Sequence, residues 1–230
     1  MVVFLIKRLK KVSDMIEDLN ELAKNMSRYC VGMEGNVSGK VDNEITIKAS
    51  GSKLDKMSFH DWVVIGGDGT QISHPSKKPS MELSFHTYLL GFEGVNYVAH
   101  THPVNSLKIL CSNTCYTFSK DRIFPDQVVF NGGKSCLVSY AKPGEKLTLE
   151  IKKSVELFIK TEGYFPKIIL LENHGVIACG KTINECIIAT DICEKSAEIF
   201  SGVKTLKRLT TSEVEDLMTD EKEKHRISLL

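Results

Sequence analysis

Apolar residues recur at Leu9, Val12, Ile16, Leu19, Ala23 and Met26, spacings of three and four that predict an amphipathic helix over 7–27. Further helical runs are expected near 79–91, 144–161, 182–201 and 212–225. Short runs rich in Val and Ile predict strands near 45–49, 61–65, 95–102, 127–130, 136–140, 168–172 and 175–179. Gly66-Gly67-Asp68-Gly69, Gly132-Gly133 and Pro143-Gly144 punctuate the loops between them. No repeat, linker or low-complexity stretch divides the pattern, so one domain over 1–230 is expected. Several consecutive strands argue for a largely antiparallel sheet, which the long helices at both ends would cover.

Composition narrows the class. A chain of 230 residues buries a substantial core. With 26% charged residues and a formal net charge of +1, no strong field favours nucleic acid or an anionic membrane. Seven cysteines, an odd number scattered from Cys30 to Cys193, read as free thiols of a reducing cytosol. Cys111 and Cys115 are four apart and would meet on a helix, but no second pair or nearby histidine completes a metal site, so packing is the reading. The opening Met1 to Ile6, followed by Lys7-Arg8, is too short for a signal h-region and has its charges on the wrong side. No stretch approaches the roughly 20 apolar residues that span a bilayer. A cytoplasmic location is expected.

The candidate chemistry lies in three histidines. His100 and His102 end an apolar, strand-like run at i, i+2, so both imidazoles leave one face of a pleated strand. His174 follows the apolar run Ile168 to Leu171 and is followed at once by Gly175. A lone His-x-His is more often structural. Three neutral imidazoles converging from two strand ends with a fourth position open instead make a catalytic zinc site. His60, His74 and His225 lie in polar or turn-rich contexts and read as surface residues. Pro79 fits a first helical turn and Ser80 a phosphate contact near a helix N-terminus, which puts Glu82 in the opening turn. Glu82 either complements the helix dipole or serves as a base beside the metal. His86, one turn on, reads as a hydrogen-bonded helix residue. Gly35-Asn36 forms a small-residue turn that a ligand can approach closely, and Ser50-Gly51 ends a strand with a hydroxyl and an accessible amide. These groups are either a phosphate cradle or ordinary turn chemistry. Asn131-Gly132-Gly133-Lys134 lacks the Walker spacing, and Asp68-Gly69 lacks the alternating carboxylates of a calcium loop.

In order along the chain, Gly35-Asn36-Val37-Ser38, a strand ending in Ser50-Gly51, Pro79-Ser80-Met81-Glu82, His100-Thr101-His102-Pro103 and Asn173-His174-Gly175 resemble the class II aldolase/adducin family. The resemblance runs from about Leu19 to about Phe200. It implies a single-domain α/β three-layer sandwich, with a central, mainly antiparallel sheet flanked by helices. It also implies a lyase dependent on zinc or another divalent ion, which cleaves a carbon–carbon bond in a small ketose or ketose phosphate through a metal-stabilised enediolate. In that scheme His100, His102 and His174 hold the metal and Glu82 shuttles the proton, while Gly35, Asn36, Ser50, Gly51 and Ser80 meet the phosphate. Epimerisation or dehydration on the same scaffold is the alternative, and an adducin-like, non-enzymatic interaction module is a third reading. Family enzymes are four-fold rings with sites at subunit boundaries, so a homotetramer is implied.

Two positions depart from the family pattern. The family has a second serine where this chain has Met81, so either the ligand lacks a phosphate or Lys77 and Lys78 compensate. The region of the family's acid tyrosine is here Phe124 to Phe130, without a tyrosine; Asp126 there would either transfer a proton or cap a turn. The 124–134 segment, or the tail with Val214, Leu217 and Met218 at helical spacing, would close a neighbour's site or else pack on its own subunit.

Overall fold

The periodic run at the start forms helix α1 (Val2–Met26), and Ile16, Leu19, Leu22, Ala23 and Met26 are all buried. The computed structural model describes residues 2–229; the side chains of 2–7 and of Leu9, the first position of the predicted stripe, lie outside the described residues. Strands β1 (Asn36–Val41), β2 (Glu44–Lys48) and β3 (Trp62–Ile65) follow, then α2 (Leu83–Leu89) and β4 (Tyr97–Thr101). Three short helices come next: α3 (Val104–Leu110), α4 (Cys115–Lys120) and α5 (Pro125–Asn131). The chain continues with β5 (Cys136–Val138), α6 (Glu145–Glu162), β6 (Ile168–Leu171), β7 (Gly175–Gly180) and α7 (Ile183–Gly202), and ends in α8 (Thr211–Thr219) and α9 (Glu221–Ser228).

The seven strands form one sheet in the order β3-β2-β1-β4-β7-β6-β5. Every neighbouring pair is antiparallel except β5 with β6. Alternate residues of a strand face opposite ways, so the sheet has two cores. On one face α1, α3 and α7 bury Leu19, Leu22, Ile109, Ala189 and Cys193 against Val37, Ala99, Val176 and Ala178. On the other, α2 and α6 bury Phe85, Leu89, Leu147, Ile151 and Val155 against Val98, Ile169, Leu171 and Ile177. The result is the expected sandwich of helices, mainly antiparallel sheet and helices.

Several expectations fail for identifiable reasons. Gly35-Asn36-Val37-Ser38 is not a turn throughout: Asn36 opens a central strand over 36–41, where Asn36 and Ser38 are consumed inside the protein and so break the apolar alternation. The Val-Val-Phe run predicted as a strand at 127–130 is helical: Pro125 at the first helical position presets the helix, and Gln127 Oε1 accepts from Ile123 N at 2.9 Å, which ties the approach to the first turn. Pro79 lies outside any helix, bridged to Ala49; Ser50 N donates to Lys78 O at 2.8 Å and Ser80 N to Lys48 O at 3.0 Å, so no donor is asked of the proline. Cys111 ends α3 and Cys115 begins α4, so they share no helix. Within the single chain the tail, for which the sequence leaves both arrangements open, meets the 124–134 segment: a Cβ on Gly133 would lie 2.4 Å from Met218 Sδ, and Arg226 pairs with Asp126 at 2.7 Å.

Burial on α1 sets the first prediction. Leu22 is fully buried, whereas Leu149 on α6 is 58% exposed. Leu22→Ala should cost about 3 kcal/mol of unfolding free energy in urea, and Leu149→Ala no more than about 0.5 kcal/mol.

Candidate metal centre

His100 lies on β4, and His102 stands just past its end, its backbone N donating to Tyr29 O at 3.2 Å. His174 occupies the three-residue turn between β6 and β7, where Leu171 pairs with Gly175. Asn173, with φ of 53°, takes the left-handed conformation that asparagine tolerates and so reverses the chain tightly enough to bring His174 back to β4. One potential ligand atom from each of the three imidazoles falls within 4.8 Å of the others. His100 Nε2 and His102 Nε2 are 3.1 Å apart.

Two glycines make this approach possible. A Cβ on Gly175 would lie 2.5 Å from Thr101 O and 2.6 Å from His102 Cδ2. One on Gly35, whose φ is +67°, would lie 2.8 Å from His100 O. Any larger residue at either position would push the histidines apart.

Glu82 precedes the first turn of α2 instead of lying within it, its backbone N donating to Ser80 Oγ at 3.3 Å. Its buried carboxylate reaches over the cluster, with Oε2 3.5 Å from His100 Nε2 and Oε1 3.6 Å from His174 Nε2. A directed chain of hydrogen bonds holds it there. Asn36 Nδ2 donates to Glu82 Oε2 at 2.8 Å. Asn36 Oδ1 can only accept, so His86 Nε2–H donates to it, and His86 Nδ1 accepts from Ser38 Oγ at 2.6 Å. His86 is therefore a hydrogen-bonded helix residue, as its position predicted.

One cavity of about 390 Å³ is lined by Gly35, Asn36, Ser50, Gly51, Ser80, Glu82, His100, His102 and His174, so the expected metal ligands, base and phosphate contacts meet there. Lys77 and Lys78 do not line it; Lys77 pairs with Asp61 at 3.4 Å. Asp126 is likewise absent from its wall. The cation that does line it is Lys48, 3% exposed, which sequence reasoning passed over as an ordinary strand residue. Its Nζ donates to Met33 O at 3.0 Å and Ser52 O at 2.6 Å, with no carboxylate in ion-pair reach among the described residues. Glu34 also lines the cavity and was also missed. No periodic or motif signal marks either position.

Burial keeps the histidines neutral. It pushes His100 down to about 3 with help from His174, and His102 to about 4 with help from the adjoining His100 ring. His174 is lowered by burial too, and fully buried His86 is held well below the usual range. Neutral imidazoles are the form that binds metal.

A profile of the class II aldolase and adducin N-terminal domain matches residues 17–201. The chain belongs to that family. It is 28% identical over 181 residues to an L-fuculose phosphate aldolase of Methanococcus maripaludis, covering 78% of this chain and 91% of the relative. It is 26% identical over 207 residues to a 3-oxo-tetronate 4-phosphate decarboxylase of Escherichia coli, covering 87% and 93%. The solved structure of an L-fuculose 1-phosphate aldolase superposes with a TM-score of 0.74 at 20% identity, over 89% of this chain and 94% of that one. No helix among the described residues is long and apolar enough to cross a membrane.

The depressed histidines predict a pH dependence. A group whose folded pKa lies below its unfolded value of 6.5 takes up a proton on unfolding, so acid favours the unfolded chain. The stability tied to neutral histidines is complete above pH 6.5 and is lost as the pH falls towards about 4. In chelator-treated protein the urea midpoint should fall steadily from pH 6.5 to 4.5; a flat midpoint across that window would count against buried, neutral histidines.

Proposed function

We propose that this chain is a metal-dependent carbon–carbon lyase of the aldolase type, acting on a small phosphorylated ketose or keto acid, with zinc as its ion. The observation that carries this reading is Glu82, a buried carboxylate held by Asn36 within 3.6 Å of His100 and His174. The donor set suits zinc: tetrahedral ligands at the usual Zn–N length are roughly 3.3 Å apart, close to the 3.1 Å between the two Nε2 atoms. A bound divalent cation supplies Lewis-acid polarisation of a substrate oxygen, which makes the adjacent carbon acidic.

The chain's own residues supply the rest. Glu82 exchanges a proton with that carbon, and the fixed Asn36 amide keeps one of its oxygens in place while the other faces the reacting atoms. Among the described residues Lys48 has only carbonyl partners, so an anionic substrate group is its missing counter-charge. Ser50, Gly51 and Ser80 stand beside it along the same wall, which favours a phosphate ester even though Met81 replaces a hydroxyl donor. Both relatives are named for phosphorylated compounds.

Decarboxylation is the second reading, and one observation favours it. Aldol cleavage needs a second group to take the proton from the substrate hydroxyl, and residues 124–130, the region of the family's acid tyrosine, hold no tyrosine. Loss of carbon dioxide needs only the delivery of one proton to carbon, which Glu82 alone can provide.

Incubation of the zinc-loaded protein with ketose phosphates, free ketoses and phosphorylated 3-oxo acids, followed by mass analysis, separates these outcomes. Two carbonyl fragments are expected for aldol cleavage, and loss of about one CO2 for the second reading; water loss or a mass-conserving change alone would refute carbon–carbon cleavage. Glu82→Gln should lower turnover by about two orders of magnitude or more with metal still bound. His100→Ala should lose most of its metal, because only two imidazoles remain. Full zinc occupancy in that variant would sink the ligand assignment.

A further inference from the structure

Each imidazole that binds a cation through one nitrogen must place its proton on the other. For His100 the protein settles this through the backbone: Nδ1 lies 3.1 Å from Val176 O, which can only accept, so the proton is on Nδ1 and the Nε2 lone pair faces the cluster. Among the described residues His102 has no such carbonyl. Its Nδ1 faces a carboxylate instead, Glu34 Oε2 at 3.4 Å.

Glu34 is held where it is by the fold. Its carboxylate accepts from Val31 N at 2.9 Å, and its own N donates to Val31 O at 3.2 Å, which closes a tight turn. Lys48 fastens the same turn through Met33 O. Gly35 then lets the backbone pass against the His100 carbonyl, where a Cβ would not fit. The turn is thus tied to β2 and β4, the strands that carry Lys48 and His100.

The two tautomers of His102 have opposite consequences. With its proton on Nε2, His102 donates to His100 Nε2 across 3.1 Å and fills the space between them. With the proton on Nδ1, both Nε2 lone pairs converge on one point. We propose that Glu34 is a positioning residue of the metal centre: its carboxylate accepts from Nδ1–H of His102, which selects the second tautomer and leaves Nε2 aimed at the cation. This rests on the metal-site reading given above and adds to it a residue outside the three ligands.

The test uses the full chain and three proteins: wild type, Glu34→Ala and Glu34→Gln. Zinc affinity is read by competition with a chromophoric chelator, and the His102 tautomer by nitrogen–proton NMR of the zinc-free protein. Glu34→Ala should weaken zinc by about 10- to 100-fold. Glu34→Gln, which keeps an oxygen acceptor, should recover most of that loss. The wild type should show His102 protonated on Nδ1, and Glu34→Ala should show it on Nε2. Equal zinc affinity in wild type and Glu34→Ala overturns the proposal, as does an Nε2–H tautomer in the wild type. Weaker zinc with an unchanged tautomer means that Glu34 only braces the 31–34 turn, and also overturns it. A wild type that binds no zinc removes the metal reading itself, an outcome distinct from the failure of Glu34 alone.

Discussion

Asn36 is the point at which the fold becomes a site. Its backbone lies opposite His100 in the β1–β4 pairing, so strand register alone sets how far its side chain stands from the imidazoles. Its amide donates to Glu82 and accepts from His86, which belong to α2 and its approach, on the face of the sheet covered by α2 and α6. Its side chain therefore ties β1 to the helix while its backbone pairs with β4, and both polar atoms of that side chain have a partner. A slip of one residue in β1 would turn Asn36 to the opposite face and leave Glu82 without the donor that holds it. A buried carboxylate that lost this bond would cost far more than the bond adds, because nothing else in that wall replaces water.

The parts of the site legible in the sequence are those that repeat a short, ordered pattern. His100 and His102 share a strand face by period two, and Gly175 after His174 marks a place where a side chain would not fit. The helices and strands with clean apolar periodicity, α1, α6, α7, β4, β6 and β7, fall close to where the pattern puts them. What escaped detection is what functional use disguises. Strand β1 spends Asn36 and Ser38 on hydrogen bonds and has no room for a side chain at Gly39, so it reads as a turn. In α5 the β-branched Val128 and Val129 pointed to a strand, but tertiary packing and the proline start prevailed. Lys48 and Glu34 carry no local signature, because their meaning comes from neighbours that are distant in sequence.

The electrostatics of the cavity follow from the same economy of partners. The histidines are buried deeply enough to stay uncharged, so the cluster presents lone pairs without a positive field of its own. Lys48 supplies the cavity's one buried ammonium among the described residues, on the wall with the serines. A substrate with one anionic end and one oxygen-rich end would find these two environments within a single pocket and could be oriented by charge before any close contact forms.

The mouth of the pocket is built differently from its floor. Met33 and Met81 line the opening yet are 61% and 73% exposed, and neither fills a core. Exchanges at such positions change stability by only about 0.5 kcal/mol or less, whereas the floor admits almost none, since Gly35, Gly175, Asn36 and His86 each lack space or a spare hydrogen bond. Evolution can therefore reshape the rim without risking the fold, and a change in what the pocket admits would leave its record there, in a few freely varying side chains around an unchanging centre.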